Sequence, residues 1–412
     1  MSAYTPDTVV AVQPFTRQPE GDDVIIGVAE TGVFLAVPPE AVELLEQFAQ
    51  GKSVGEVSNL YQQRYGEVLD MDDFLGLLET KGIVKPFVQG RAQTSASQPA
   101  RPPAPKVRYH FGNFPQAVAR RIFSRPVLAV CFVLIVMATA AMVQDHSLIA
   151  RPSDFYFPEH RAFTWVLFTL IAYASILLHE AGHLVAARAV GVSSRLGISN
   201  RLWYLVAETD LTGLWGIPRN QRYLPLLAGL LIDATSAAAL ILLLFARGQH
   251  WLEMPVLVVR LTRAMVLSYW LRIVWQFFLF VRTDIYFVIV NFFNCRNLLK
   301  DTEAFLRNLV AKVIPRVRTV DQSGIPVAER RVIHAYSVVW VAGRAMAFFT
   351  LFVVTIPVAL SYIKNLAGVF KAGYSANRYS FVDSIVLAAV VLTPIIIGFV
   401  LWVRGMFRRE RG

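Results

Sequence analysis

The sequence predicts a polytopic α-helical membrane protein of about six spans, preceded by a small soluble α+β domain. Of its 412 residues, 55% are hydrophobic and only 17% are charged, whereas soluble chains carry about 25% charged residues. The apolar excess is confined to the part of the chain after about residue 110, where long apolar runs replace a mixed composition. The chain therefore divides into one soluble domain and one membrane domain.

The charge balance and the cysteines narrow the functional class. A net charge of +11 in a polytopic chain reflects Lys and Arg in cytoplasmic loops. No basic patch interleaved with aromatic residues stands out, so we expect no nucleic-acid partner. Cys131 and Cys295 lack Cys-x-x-Cys partners, which disfavours a disulfide framework or a cysteine-based zinc site. The N-terminus has no charged start followed by an apolar core, so we expect no signal peptide and a cytoplasmic N-terminal domain.

Short strands and helices follow one another in the N-terminal domain. Within residues 8–37, the runs TVVAVQP, DVIIGVA and GVFLAVP are β-branched and alternating, which predicts a small antiparallel sheet. A first helix begins at the two prolines of PPEAVELLEQFAQG and ends at Gly51. A second helix begins after Ser53, with Glu56 three residues later, which is the spacing of a capping box.

The third helical pattern is DMDDFLGLLETKG. It begins at Asp70 and ends at Gly82, and its spacing predicts that Phe74, Leu77 and Leu78 face inward. Together with the strands it makes a β-then-α domain, which we assign to residues 1–88.

Residues 8–88 resemble the PqqD-like, winged-helix-type domains that recognise leader peptides of ribosomally made, modified peptides. The runs GVFLAVPPEAVELLEQFAQGKSVGEV and DDFLGLLETKGIV carry the resemblance. In that family a precursor peptide adds as a strand beside the third strand and packs on the third helix. The resemblance implies peptide contacts by Val33, Phe34, Leu35, Ala36, Val37, Phe74, Leu77 and Leu78. The alternative is a winged-helix scaffold that binds nothing, or binds DNA, although its helices are not notably basic.

A linker and the membrane spans follow. Residues 89–106 are rich in Pro, Ala, Ser and Gln, which predicts a semi-extended linker before a membrane domain over 107–412. Basic segments alternate with less basic ones, so both termini are expected in the cytoplasm of a bacterial-type cytoplasmic membrane. Arg272 and Arg344 lie inside spans and should face the bundle interior or an aqueous cavity. We place the spans near residues 126–143, 162–187, 223–246, 264–282, 335–362 and 381–404.

The second span contains an H-E-x-x-H motif, within SILLHEAGHLVAARAVG. In a helix, His179 and His183 point the same way and can bind one zinc ion, while Glu180 can reach a water molecule on that metal. Such polar groups are costly in so apolar a helix unless they have a role. A di-iron oxidase with histidine boxes is the alternative metalloprotein class, but the seven histidines of this chain form one close pair only.

A catalytic zinc takes three protein ligands, so a third must come from elsewhere. The second span reaches His179 after roughly 25 Å, close to the cytoplasmic side of the bilayer. Asp233 lies at mid-membrane, which predicts that it is too far away. Glu208 and Asp210 lie in a loop and remain possible. Asp284 lies at the matching depth, at the end of the fourth span, and is the favoured third ligand.

Residues 120–300 resemble the site-2 protease family of intramembrane zinc metallopeptidases. One branch of that family, the peptide zinc metallopeptidases, can carry PqqD-like domains. That family follows H-E-x-x-H with N-x-x-P-x-x-x-x-D-G in a later span, and LPLLAGLLIDA is similar to the apolar Ala-Gly run of its third core span. Here Asp284 takes the aspartate position, Gln276 replaces the asparagine, Leu279 the proline and Ile285 the glycine. The resemblance implies that Gln276 positions the substrate and that Glu180 accepts the proton of water.

These expectations define an intramembrane zinc protease that captures and cleaves a ribosomally made precursor peptide near the cytoplasmic face. The substrate must be extended, and strand-like runs at Leu202–Val206 and Leu211–Trp215 offer an edge for it, unless the loop only caps the bundle. A peptide transporter or a modifying enzyme is a further candidate partner. The rival functions are a maturation or export component with a non-catalytic zinc site, and a regulatory protease of a membrane-anchored factor.

Overall fold

A computed structural model describes residues 4–21, 23–28, 33–87, 114–155, 161–372 and 378–409. The predicted linker at 89–106 lies outside these residues. The chain forms two compact units. The first contains Met1–His110, Val192–Ser194 and Leu211–Arg222, and the second contains the remainder. The N-terminal unit thus includes two short segments that the sequence assigned to the membrane domain.

The described residues of the N-terminal unit form two small antiparallel sheets. One has the order β2-β3-β4, and in the other β1 pairs with β5. Strands are confirmed in all three predicted runs, as β1, β3 and β4. The two unpredicted strands, TRQPE and VKPF, each contain a proline, and proline argues against a strand in sequence. The strands are β1 (Val9–Val12), β2 (Thr16–Glu20), β3 (Asp23–Val28), β4 (Val33–Val37) and β5 (Val84–Phe87).

The three predicted helices are present, and they connect β4 to β5. They are α1 (Pro39–Ala49), α2 (Val54–Tyr65) and α3 (Met71–Thr80). The capping box of α2 is formed: the Ser53 hydroxyl accepts a hydrogen bond from the Glu56 N–H, and the Glu56 carboxylate accepts one from the Ser53 N–H. Gly66 ends α2 with φ +73°, a conformation that glycine adopts without a Cβ penalty.

The core face of α3 is rotated from the predicted one, and it includes two residues that were not predicted, Met71 and Leu75. Met71, Leu75 and Leu78 are buried, at a spacing of four and three residues, and Phe74 packs against the same core. Leu77 lies two positions from Leu75, on another side of the helix, and is 56% exposed. The prediction that Leu77 faces inward is therefore wrong. Leu78 faces inward as predicted and is buried in the core of the N-terminal domain.

The segment before the third predicted span packs within the N-terminal unit. Residues Thr212–Gly216 form a 3-10 turn, so the strand predicted for Leu211–Trp215 is wrong. The Phe34 ring covers Gly27, where a side chain would overlap with it, and lies 3.0 Å from where a Cβ of Gly216 would be. Glycines at both places let this aromatic ring pack against the backbone.

A buried ion pair fixes the same segment. The Arg222 guanidinium is almost inaccessible and donates two hydrogen bonds, of 3.0 and 2.6 Å, to the carboxylate of Glu20 in β2. It also donates to the carbonyl oxygens of Ile217 and Trp215. All three guanidinium nitrogens of Arg222 thus have hydrogen-bond acceptors, as a buried charge requires.

We predict that Arg222→Gln destabilises the N-terminal unit by about 2–4 kcal/mol, because it leaves the largely enclosed Glu20 carboxylate without its counter-charge. Hydrogen–deuterium exchange of the β2 and β3 amides in the full chain measures the loss of protection. Arg64→Gln is the matched control, since the pair of Arg64 with Glu43 is exposed and should contribute at most about 1 kcal/mol. Equal effects of the two changes would contradict the assignment.

The remainder of the chain is mainly helical. Its helices are α4 (Gln116–Ile122), α5 (Arg125–Gln144), α6 (Arg161–Ala189), α7 (Arg219–Gly248), α8 (Val256–Trp275), α9 (Asp284–Phe293), α10 (Leu298–Ala311), α11 (Val327–Thr350), α12 (Ile356–Ala372) and α13 (Arg378–Arg409). Among the residues that the structure describes, five apolar helical stretches are long enough to cross a membrane: Gln116–Gln144, Ala162–Ala189, Arg219–Gly248, Val327–Lys371 and Phe381–Gly405. The protein is therefore membrane-embedded in character.

Two predicted spans have different bounds. The fifth is part of one 45-residue helical stretch, in which the π-helical turn Leu351–Thr355 joins α11 to α12. The span predicted at 264–282 is wrong at both ends, because α8 begins at Val256 and ends at Trp275. The next residues make turns until α9 begins at Asp284. Residues 277–281 read FFLFV and are as apolar as the helix before them, so hydropathy does not reveal where the helix ends.

A β-hairpin joins α6 to α7. Its strands are β6 (Arg195–Arg201) and β7 (Tyr204–Asp210), connected by Leu202 and Trp203. Leu202 has φ +56°, so the strand predicted from Leu202 starts two residues later. The buried Trp203 ring contacts those of Phe348 and Trp402, with centroids 6.1 and 5.6 Å apart. This aromatic cluster anchors the tip of the hairpin to the helices α11 and α13.

Candidate metal centre

Helix α6 brings two histidine side chains to one point. His179 and His183 lie one turn apart and are 4% and 2% exposed. Their Nε2 atoms are 3.2 Å apart. The predicted shared orientation of the two rings is confirmed.

Asp284, the first residue of α9, completes a group of three. Its Oδ2 lies 3.3 Å from Nε2 of His179 and 3.2 Å from Nε2 of His183. The start of α9 is fixed by Thr283, whose hydroxyl accepts the Tyr286 N–H. In the part of the chain that the structure describes, these three residues are the group whose side chains could together hold a metal ion. The alternatives Glu208, Asp210 and Asp233 are not members of that group.

Hydrogen bonds on the far side of each ring determine where the imidazole protons lie. The Nδ1 of His183 is 2.7 Å from the Pro225 carbonyl oxygen, which only accepts, so Nδ1 carries the proton. The Nδ1 of His179 is 2.8 Å from a carboxylate oxygen of Asp233. In the neutral rings, both Nε2 atoms therefore present lone pairs toward Asp284.

This geometry fits a tetrahedral divalent ion. Ligand atoms bound to zinc at 2.0–2.1 Å are separated by about 3.3 Å from one another. The three distances between Nε2, Nε2 and Oδ2 are 3.2, 3.3 and 3.2 Å. In neutral rings whose protons lie on Nδ1, three lone-pair atoms so close together repel one another, and a shared cation, either a metal ion or a proton, relieves that repulsion. Two imidazoles and a carboxylate are also a donor set that zinc accepts.

The backbone of α7 passes directly over the two imidazoles. A Cβ atom at Gly229 would overlap with Nε2 of both His179 and His183. Only a residue without a side chain leaves room for an ion here. The sequence signal for this residue was the Ala-Gly run in LPLLAGLLIDA.

Glu180 is held by the β-hairpin. The residue is 6% exposed. Its carboxylate accepts a hydrogen bond of 2.7 Å from the Thr209 hydroxyl in β7. The same hydroxyl lies 3.2 Å from the Glu180 carbonyl oxygen. Thr209 was not predicted, because nothing in the sequence relates a strand residue to a helix residue 29 positions earlier.

Gln276 supports the position of Asp284. Its Oε1 accepts the Asp284 N–H at 3.0 Å, and its carbonyl oxygen accepts the Thr283 hydroxyl at 2.7 Å. The residue predicted to position a substrate thus orients a ligand residue with its amide oxygen.

The intramembrane arginines have acidic or aromatic neighbours. Arg272 faces the interior, as predicted, and forms a two-pronged ion pair with Asp233. Arg344 is 28% exposed; it lies over the Trp340 ring, 4.9 Å from the centroid, and 4.0 Å from Glu303.

The residues expected to bind a peptide separate into two sets. Val33, Phe34, Leu35, Ala36 and Val37 form β4, which is an edge strand of its sheet in the described part of the chain. Leu77 is exposed and Phe74 is partly buried. Leu78 is 1% exposed and cannot contact a peptide in this conformation.

Comparisons of the chain with protein-family models, curated proteins and solved structures find no match. The site is therefore assigned on its own geometry.

We predict that Gly229→Ala abolishes metal binding without unfolding the protein, because the added methyl group occupies the space between the two imidazoles. The metal content of purified full-length protein measures this. Gly368→Ala is the matched control: it adds the same methyl group to a membrane helix, α12, at a position with open space around it. A normal metal content in Gly229→Ala would contradict the proposed location of the ion.

Proposed function

We propose that this protein is an intramembrane zinc metallopeptidase that cleaves a ribosomally made precursor peptide. The observation that supports this most strongly is the triangle of two Nε2 atoms and one carboxylate oxygen, with edges of 3.2 to 3.3 Å. A glutamate lies in the same helix beside the first histidine, which is the arrangement of zinc peptidases.

The membrane arrangement is part of this proposal. The five long apolar helices are joined by α8 as a sixth span, in which Arg272 is neutralised by Asp233. The basic segments then lie on one side, with both termini in the cytoplasm of a bacterial-type membrane. The metal centre lies near that face.

The catalytic roles follow from the chemistry of the side chains. Zinc, when bound by His179, His183 and Asp284, acidifies a water molecule and polarises the scissile carbonyl group. Glu180 accepts the proton of the attacking water and transfers it to the leaving amine. Thr209 donates to one carboxylate oxygen of Glu180 and so orients the carboxylate.

The substrate is an extended peptide. A helix offers no free peptide bond, because its backbone groups are paired internally. The β6–β7 hairpin, which contacts Glu180 through Thr209, supplies an edge to which an extended segment can add as a strand.

The N-terminal domain recognises the leader of the same precursor. Its edge strand β4 can pair with an extended leader segment, and the exposed Leu77 on α3 offers an apolar contact. Tethering the leader to the enzyme raises the effective concentration of the cleavage site to about the millimolar range.

We predict that Glu180→Gln abolishes peptide cleavage and leaves metal binding intact, because the amide cannot accept the proton. A mixture of synthetic peptides is incubated with the full-length protein in liposomes, and new termini are identified by mass spectrometry. Glu253→Gln, in an exposed loop, is the control and should cleave normally. Undiminished cleavage by Glu180→Gln would contradict the peptidase proposal and favour a non-catalytic metal site.

We predict that Leu77→Arg weakens leader binding at least about tenfold, because burying a leucine side chain contributes about 1.5–3 kcal/mol. The probe is a peptide selected by display on the full-length wild-type protein, and its dissociation constant is measured by fluorescence anisotropy. Leu60→Arg alters a comparably exposed leucine on α2 and should have no effect. If the two variants bind equally well, the α3 surface is not the peptide site.

A further inference from the structure

One carboxylate inside the helix bundle receives three hydrogen bonds from two side chains. Asp233, in α7, is completely buried. Its Oδ2 lies 2.8 Å from Nδ1 of His179 and 2.7 Å from Nε of Arg272. Its Oδ1 lies 2.6 Å from Nη2 of Arg272. The carboxylate therefore joins a metal-ligating imidazole to a guanidinium.

The arginine is itself held in place by two helices. Its Nη1 donates to the Ser175 hydroxyl at 3.1 Å, and its guanidinium lies over the Tyr269 ring, 4.8 Å from the centroid. Ser175 lies in α6, one turn before His179, and its own hydroxyl donates to the Ala172 carbonyl oxygen. Helices α6, α7 and α8 are thereby connected through the Asp233 carboxylate.

The two histidine ligands are supported differently. His183 donates to a backbone carbonyl, which no side-chain substitution removes. The Nδ1 of His179 instead donates to the Asp233 side chain, whose carboxylate is held by a bidentate contact with the planar Arg272 guanidinium. A carboxylate behind a metal-bound histidine fixes the ring and its tautomer, and its loss typically weakens metal binding 10–100-fold.

We propose that Asp233 and Arg272 are positioning residues that hold the His179 ring with its Nε2 toward the metal. This rests on the proposed metallopeptidase function. Neither residue touches the substrate or the ion. Arg272 keeps the Asp233 carboxylate in one orientation, and Asp233 keeps the proton of His179 on Nδ1. The pair also explains why two charged residues are tolerated in the interior of this apolar bundle.

Zinc affinity of the full-length protein in detergent tests the pair. Competition with a chelator is measured for the wild type, Asp233→Asn and Arg272→Lys. Both variants are expected to bind zinc about 10–100-fold more weakly. Asp383→Asn is the matched control: it removes the same charge from another membrane helix, where Asp383 accepts the Ala162 N–H. It should bind zinc like the wild type.

A second readout separates positioning from a loss of structure. Cobalt(II) replaces zinc, and its visible absorption reports the ligand geometry. Asp233→Asn and Arg272→Lys should alter this spectrum, Asp383→Asn should not, and the metal-free Arg272→Lys should still unfold in one cooperative transition. Arg272→Lys keeps a cation beside Asp233, so it decides the question if Asp233→Asn does not fold.

The possible failures are distinguishable. If the wild type binds zinc, and Arg272→Lys has the wild-type affinity and the wild-type cobalt spectrum, the positioning role is wrong while the metal site stands. If the wild type binds no zinc, the proposed function itself is wrong, and the inference fails with it.

Discussion

Three acceptor atoms are held within 3.3 Å of one another, and this crowding is the constraint on which the rest of the site depends. They are the Nε2 atoms of His179 and His183 and Oδ2 of Asp284, and in neutral rings whose protons lie on Nδ1 they repel one another. A low-dielectric interior makes such repulsion stronger than it would be in water. The groups behind the ligands hold the atoms in place nonetheless: Asp233 and the Pro225 carbonyl behind the histidines, and Gln276 behind the N–H of Asp284. A cation shared by the three atoms, either a metal ion or a proton, offsets their repulsion.

One face of α7 provides much of this support. Pro225, Gly229 and Asp233 are four residues apart in turn, so they lie along one side of the helix. The first contributes a carbonyl oxygen to His183, the second leaves space beside both imidazoles, and the third accepts from His179. Helix α7 therefore acts as a template for the two histidines of α6. A larger residue at the middle position would close the site.

The sequence predicted those parts of the site that depend on spacing within one helix. The H-E-x-x-H motif predicted the two histidines, which are four residues apart, and the glutamate beside the first. The expected depth in the membrane predicted Asp284. Thr209 and the role of Asp233 depend on how separate elements rotate and pack, which apolar length does not determine. Asp233 was expected to lie too far away to be a ligand; it lies one hydrogen bond behind a ligand instead. Similarly, hydropathy did not distinguish the turns after Trp275 from a continuing helix.

X-ray absorption at the zinc edge of the detergent-purified, full-length protein shows whether one ion is held by two imidazoles and one carboxylate. We predict one zinc per chain, with only nitrogen and oxygen neighbours at about 2.0–2.2 Å, including the signature of two imidazole rings. A protein that contains no zinc, or a zinc with sulfur neighbours at about 2.3 Å, would contradict it.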